Sequence, residues 1–199
     1  MLQRQKGVWR IKDNSSVWKD LLRLKAPAKA LNLVWRALAN CLPIMTQLQT
    51  KHVPVQVWCP VCNEEPETIP HNLVTCTFAS QCWMVLRSDN LWVQNMEFRS
   101  WMSAILSSGT DKQRAESVML CWVVWRARND LVWNKKFSTV NKVVASAKKN
   151  LTQWILAQSI SSHTLLQPHA KGDGSMFWVK PQPNTVKVSV DAAIFEDRE

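Results

Sequence analysis

The sequence has no tyrosine, only 4 glycines and no long apolar run. Its longest apolar stretches, such as Val118–Trp125, fall far short of the roughly 20 residues needed to span a bilayer, which argues against a membrane protein. No apolar segment follows Met1-Leu2-Gln3-Arg4-Gln5-Lys6, so no secretory signal is expected. The chain is therefore expected inside the cell, in the nucleus or cytoplasm. In a reducing compartment its 6 cysteines point to metal binding or burial rather than disulfides. With 5 Phe and no Tyr beside 12 Trp, most of the tryptophans belong to the core. Acidic residues are also scarce, 15 against 25 Lys and Arg, for a net charge of +10. An apolar content of 46% excludes wholesale disorder. The length of 199 residues suits one compact domain, or one domain and a fragment of another. No internal repeat is visible.

The charge is unevenly spread. Residues 1–58 carry 10 basic and 2 acidic side chains, residues 59–83 none and 3, residues 84–157 11 and 5, and residues 158–199 4 and 5. Two basic blocks thus flank a small acidic insert. Such blocks are the footprint of a phosphate-backbone binder, although a solvated helix face has the same composition.

Apolar periodicity predicts helices on both sides of the insert. Ser15 and Ser16 are candidate caps for a first helix whose Trp18, Leu21 and Leu22 share a face. Pro27 stops it. A second helix is predicted from Ala28 to Asn40, with Leu31, Val34, Trp35, Leu38 and Cys41 or Leu42 inward. Pro43 opens a short third helix. Beyond the insert, Phe78, Cys82, Trp83, Val85 and Leu86 form a stripe. A long helix over Asp111–Lys136 places Val118, Cys121, Trp122, Trp125, Leu131 and Val132 near one face. Arg126, Arg128, Lys135 and Lys136 sit near its C-terminus, where cations suit the helix dipole. A last helix over Val140–Gln158 turns Val143, Val144, Ala147, Leu151, Trp154 and Ile155 inward. Segment 159–185, with His163, His169 and three prolines, reads as a linker. The alternation Val186-Lys187-Val188-Ser189-Val190 reads as a strand.

The acidic insert holds the densest chemistry. Cys59-Pro60-Val61-Cys62 is followed after eight residues by His71 and after four more by Cys76. A Cys-x2-Cys turn aims two thiolates at one ion, and His71 and Cys76 can close a tetrahedron around it. Three thiolates and an imidazole select zinc over Mg²⁺ or Ca²⁺. Four protein ligands leave no open position, so the expected role is structural. Cys82 is an alternative to Cys76, although its apolar stripe favours burial. His52 is a weaker alternative ligand, and Cys41 and Cys121 also fall on core stripes.

The order of these features resembles a known family. Trp18-Lys19, Leu24-Lys25-Ala26-Pro27-Ala28-Lys29, Leu33-Val34-Trp35-Arg36-Ala37-Leu38 and Leu42-Pro43 precede the Cys/His set. Glu65, Glu67-Thr68, Ala79 and Trp83 accompany it. Together they are similar to the zinc-binding domain that follows the reverse transcriptase in plant LINE-type retrotransposons, over residues 9–87. The knuckle also resembles the retroviral nucleocapsid type, with a gap of eight instead of four before the histidine. The stretch Trp122, Arg126-Ala127-Arg128-Asn129-Asp130 and Asn134 resembles the helical spacer of these elements, here 88–158. After the linker, Trp178-Val179-Lys180-Pro181 and Val186–Ala193 look like the start of a type-1 ribonuclease H-like domain, here 186–199.

The fold class implied is mainly α. It comprises a helical zinc-knuckle domain and a helical spacer, then a truncated C-terminal β-strand from an α/β ribonuclease H-like fold. In that family the aspartate ending the first strand, here Asp191, belongs to a carboxylate cluster holding two Mg²⁺ ions. Glu196, Asp197 and Glu199 do not occupy the partners' positions, so Asp191 is expected to be a relic, and no polymerase domain is expected in this length. The resemblance thus implies a non-catalytic, retroelement-derived zinc module. Lys19, Arg23, Lys25, Lys29 and Arg36 would contact the phosphates of RNA or DNA with low sequence specificity, and Trp58 would stack on bases. No small-molecule substrate and no membrane partner are expected. The alternatives are an RNA–DNA hybrid ribonuclease fragment and a decayed, non-functional product.

Overall fold

The computed structural model describes the backbone of residues 2–5, 8–11, 16–87 and 97–164, and the side chains of 17–87 and 97–159. The strand expected at 186–190, Asp191 and most of the expected linker lie outside the described residues.

A short antiparallel hairpin precedes the helices, with β1 (Leu2–Gln5) paired to β2 (Val8–Ile11) in the register Leu2 to Ile11 through Gln5 to Val8. The remaining described elements are helical. They are α1 (Ser16–Arg23), α2 (Ala28–Leu38), α3 (Met45–Thr50), a π-helical turn (His71–Thr75), α4 (Thr77–Leu86), α5 (Phe98–Ser107), α6 (Asp111–Asn134) and α7 (Val140–Thr164). Residues Met1–Ile160 form one compact unit.

Each boundary has a local cause. Pro27 ends α1 and offers its carbonyl to the amides of Ala30 and Leu31, starting α2. Asn40 takes a left-handed conformation, φ 54°, after α2, and Cys41 N donates to Arg36 O at 2.9 Å. The start of α6 is a full capping box. Thr110 Oγ1 accepts from Gln113 N at 3.3 Å, while Thr110 N donates to Gln113 Oε1 at 2.8 Å. Gly109 is required just before it. Its φ is +73°, and an added Cβ would lie 2.7 Å from Gln113 Oε1. Lys135, φ 54°, ends the helix.

The core is centred on α6, which packs along α2 and also meets α5 and the π turn. Val118, Met119, Leu120 and Cys121 are consecutive and all fully buried, so the middle of α6 is buried on all sides and not along the single stripe expected, while Asp111–Gln113 and Trp133–Asn134 at its ends are exposed. Helix α5, which the sequence reading does not delimit, inserts Phe98, Trp101, Met102, Ile105 and Leu106. Trp101 meets Trp83 of α4 edge-on at 5.0 Å.

Four expected core positions face outward. In α1 the buried face is Val17, Trp18, Leu21 and Leu24, which leaves Leu22 75% exposed. Cys41 is exposed past the end of α2, where the left-handed Asn40 redirects the chain so that Leu42 is buried instead. Val85 and Ile155 lie at the exposed edges of α4 and α7. The last helix continues through Thr164, beyond its expected end near Gln158.

Truncating Leu120 to Ala should destabilise the protein by about 2–5 kcal/mol through loss of buried area and a cavity. Truncating Leu22 should change stability by less than about 0.5 kcal/mol. Urea denaturation followed by tryptophan fluorescence separates the two.

Candidate metal centre

The chain before the centre folds into a knuckle. Trp58 and Pro66 form an isolated antiparallel bridge. Cys59 N donates to Glu65 O at 2.8 Å, and Glu67 N donates to Val57 O at 2.7 Å. Between these arms Asn63 N donates to Cys59 O at 2.8 Å, and Asn63 takes φ 59°, a left-handed position that asparagine tolerates. The tight turn brings Cys59 and Cys62 to the same side.

The other two donors come from the π turn. Cys76 N donates to His71 O at 2.7 Å, the i to i+5 bond that defines this helix type. Several of the turn's other groups are partnered by the residues before it and by α4. Asn72 N donates to Thr68 O at 2.8 Å, His71 N donates to Thr68 Oγ1 at 3.2 Å, and the buried Trp83 indole N–H donates to Leu73 O at 2.8 Å.

These two pieces bring together Cys59, Cys62, His71 and Cys76, whose ligand atoms all lie within 4.8 Å of one another. Cys59 and Cys76 Sγ are 3.9 Å apart, and Cys62 Sγ is 3.2 Å from His71 Nε2. A tetrahedral zinc with Zn–S of about 2.3 Å has S···S edges of about 3.8 Å. The spacing therefore fits a four-coordinate cation. Cys82 and His52, the alternative ligands, are outside this group. Cys82 is buried on α4, where burial pushes its thiol up to about 12, and His52 is exposed.

His71 Nδ1 gives an independent indication of fit. It is buried and makes no regular hydrogen bond, yet Glu65 Oε2 lies 3.0 Å away as an ion-pair partner. With Nε2 directed at the thiols, this is the geometry in which a carboxylate fixes the tautomer and ring angle of a metal-binding histidine. Glu65 itself is well exposed on the knuckle.

The electrostatics of the four donors also call for a cation. Without one they compete for protons. The Cys76 hydrogen bond, then burial, pushes Cys59 up to about 12. The neighbouring Cys59 sulfur raises His71 to about 9 against the opposing effect of burial. The Cys59 hydrogen bond lowers Cys76. A dication would replace these shared protons and favour thiolates and a neutral imidazole.

The expected nucleic-acid residues are not gathered into one such cluster. Lys19, Arg23, Lys25 and Lys29 are exposed on α1, on α2 and between them. Lys29 Nζ lies 4.0 Å from the centroid of the Trp122 ring, a contact the sequence did not suggest. Arg36 is half-buried and its guanidinium reaches Cys41 O at 3.5 Å. Trp58 is 47% exposed on the arm beside Cys59.

One residue of the centre's surroundings was overlooked by spacing rules. Glu67 reads as one of three acidic loop residues, but it is 0% exposed and pairs with Arg128 of α6. Only its position beside Thr68 within the family-like string distinguished it.

Protons compete with the cation for the same donors, so metal binding should tighten as pH rises. His71 near 9 and Cys59 near 12 both hold protons at neutral pH that binding must release. Zinc competition titrations at pH 6 and pH 8 should give the tighter affinity at pH 8.

Among the described residues no helix is long and apolar enough to cross a membrane. No curated protein and no solved structure matches the chain. Residues 3–83, which include all four converging donors, match the family model described as zinc-binding in reverse transcriptase.

Proposed function

We propose that the chain is a retroelement-derived module in which Cys59, Cys62, His71 and Cys76 hold a structural Zn²⁺ and the surrounding helices bind nucleic acid. The observation that carries the zinc reading is the convergence of four soft donors within 4.8 Å, inside the segment similar to a reverse-transcriptase zinc-binding region. Four protein ligands complete a tetrahedron, so the ion would supply folding energy and not an activated water. The kinship with plant LINE-type elements and a location in the nucleus or cytoplasm belong to the same proposal, as does the absence of catalysis.

The nucleic-acid reading rests on charge and exposure. Lys19, Arg23, Lys25 and Lys29 are exposed, and Lys29 sits over Trp122, whose ring is also 5.7 Å from the Arg126 guanidinium. Phosphates would meet these cations with little sequence preference. Trp58, exposed on the knuckle, offers a face for an unpaired base. Arg36 contributes less, because it already bonds to Cys41 O.

Fluorescence anisotropy with labelled single-stranded RNA and DNA tests this reading on the zinc-loaded chain. Affinity should fall with salt, and replacing Lys19, Arg23 and Lys25 together by Glu should reduce the slope of log K against log salt by about 2. Trp58→Ala should weaken binding by about 1–3 kcal/mol. Salt-insensitive or absent binding would remove the nucleic-acid function. Separately, a strong zinc chelator should lower the melting temperature, because metal binding and folding are coupled. An unchanged melting curve would remove the structural metal.

A further inference from the structure

The segment similar to the zinc-binding family ends at residue 83, yet a buried ion pair next to the metal centre takes one partner from far beyond it. Glu67 and Arg128 are 61 positions apart in sequence and are 0% and 4% exposed. Arg128 Nε donates to Glu67 Oε1 at 2.7 Å, and its Nη2 donates to Oε2 at 2.6 Å. The same carboxylate receives Asn72 Nδ2 on Oε1 at 2.7 Å and Met45 N on Oε2 at 2.8 Å.

The position of these partners matters for the metal. Asn72 directly follows the ligand His71 and lies in the same π turn. Through its main chain Glu67 is bonded to Val57, two residues before the ligand Cys59. Glu67 therefore touches both pieces of chain that carry donors, the π turn through its carboxylate and the Cys59 arm through its main chain. Arg128 fixes that carboxylate, because its planar fork engages both oxygens at once and leaves it no freedom to rotate. Its guanidinium is held in turn by Asn129 Oδ1 at 3.0 Å, and lies 5.1 Å from the Trp125 ring centroid.

We propose that Arg128 is a positioning residue for the metal centre, holding the His71-bearing turn in register through Glu67 and Asn72. On this view α6 is part of the metal-binding unit, and the unit is incomplete at residue 83. The proposal rests on the zinc reading given above. A ligand presented by a loosened turn binds more weakly even when all four ligands remain.

The test compares the full chain with Arg128→Lys and with the double variant Glu67→Gln/Arg128→Met. Zinc affinity is read by chelator competition, the ligand set by Co²⁺ absorption, and stability by thermal melting. Arg128→Lys keeps the charge but loses the fork, and its zinc affinity should fall by about tenfold or more, as for other groups that orient metal ligands. Its Co²⁺ spectrum should retain the parent's three-thiolate pattern. The double variant removes both charges together, so neither is stranded, and the new amide oxygen still offers an acceptor to Asn72 Nδ2 or Met45 N. Its melting temperature should stay near the parent's, while its zinc affinity stays lowered. Parent-like affinity in both variants overturns the proposal, as does affinity that recovers together with stability in the double variant. If the parent chain binds neither Zn²⁺ nor Co²⁺, the zinc reading and this inference fall together. Parent binding with unaffected variants removes the inference alone.

Discussion

A buried carboxylate must find partners for every lone pair or remain protonated, and Glu67 meets that demand from three directions. Taking two ions out of water costs several kcal/mol each after relaxation, which a lone ion pair seldom recovers. Here the Arg128 fork, the Asn72 amide and the Met45 main-chain N–H surround one carboxylate. The arrangement ties α6, the π turn and the first residue of α3 to a single point. Removing either charge would strand the other in a dry interior, so the pair specifies an arrangement more than it contributes net energy. With Glu67 0% and Arg128 4% exposed, bulk water has little access to serve as a substitute partner.

The metal centre and the ion pair divide the work between short and long range. The four donors come from 18 consecutive positions, 59–76, and need only a knuckle and one turn to converge. The helices before and after that segment meet through α2 and α6. Between α3 and α4 the described chain has little regular structure, and a metal held there would couple its binding to folding.

The sequence was informative where the signal is local. The Cys-x2-Cys spacing, the His71 and Cys76 offsets, and the helical character of α1, α2, α6 and α7 are properties of neighbouring residues. It was silent where the cause is distant. Glu67 looks like Glu64 in any local window, and only a partner 61 residues away makes it a core residue. Arg128 likewise has the placement of a dipole-compensating cation near a helix end, yet it points inward. Leu22 turns outward and Val17 inward because the phase of so short a helix is set by tertiary packing and not by the pattern alone. The middle of α6 misled for the opposite reason: a stretch buried all round has no stripe by which to phase it.

The π turn carries a constraint on chain length as well as on residue type. At 3.6 residues per turn, two side chains five positions apart on an α-helix diverge by about 140°, which would aim His71 and Cys76 at different neighbours. The wider turn nearly superimposes those positions, and its i to i+5 bond joins the same two residues. The four-residue gap between them is thus a measured spacer. A spacing of four would be served by an ordinary α-helical turn, which places i and i+4 on one face, so the π turn is what a spacing of five demands.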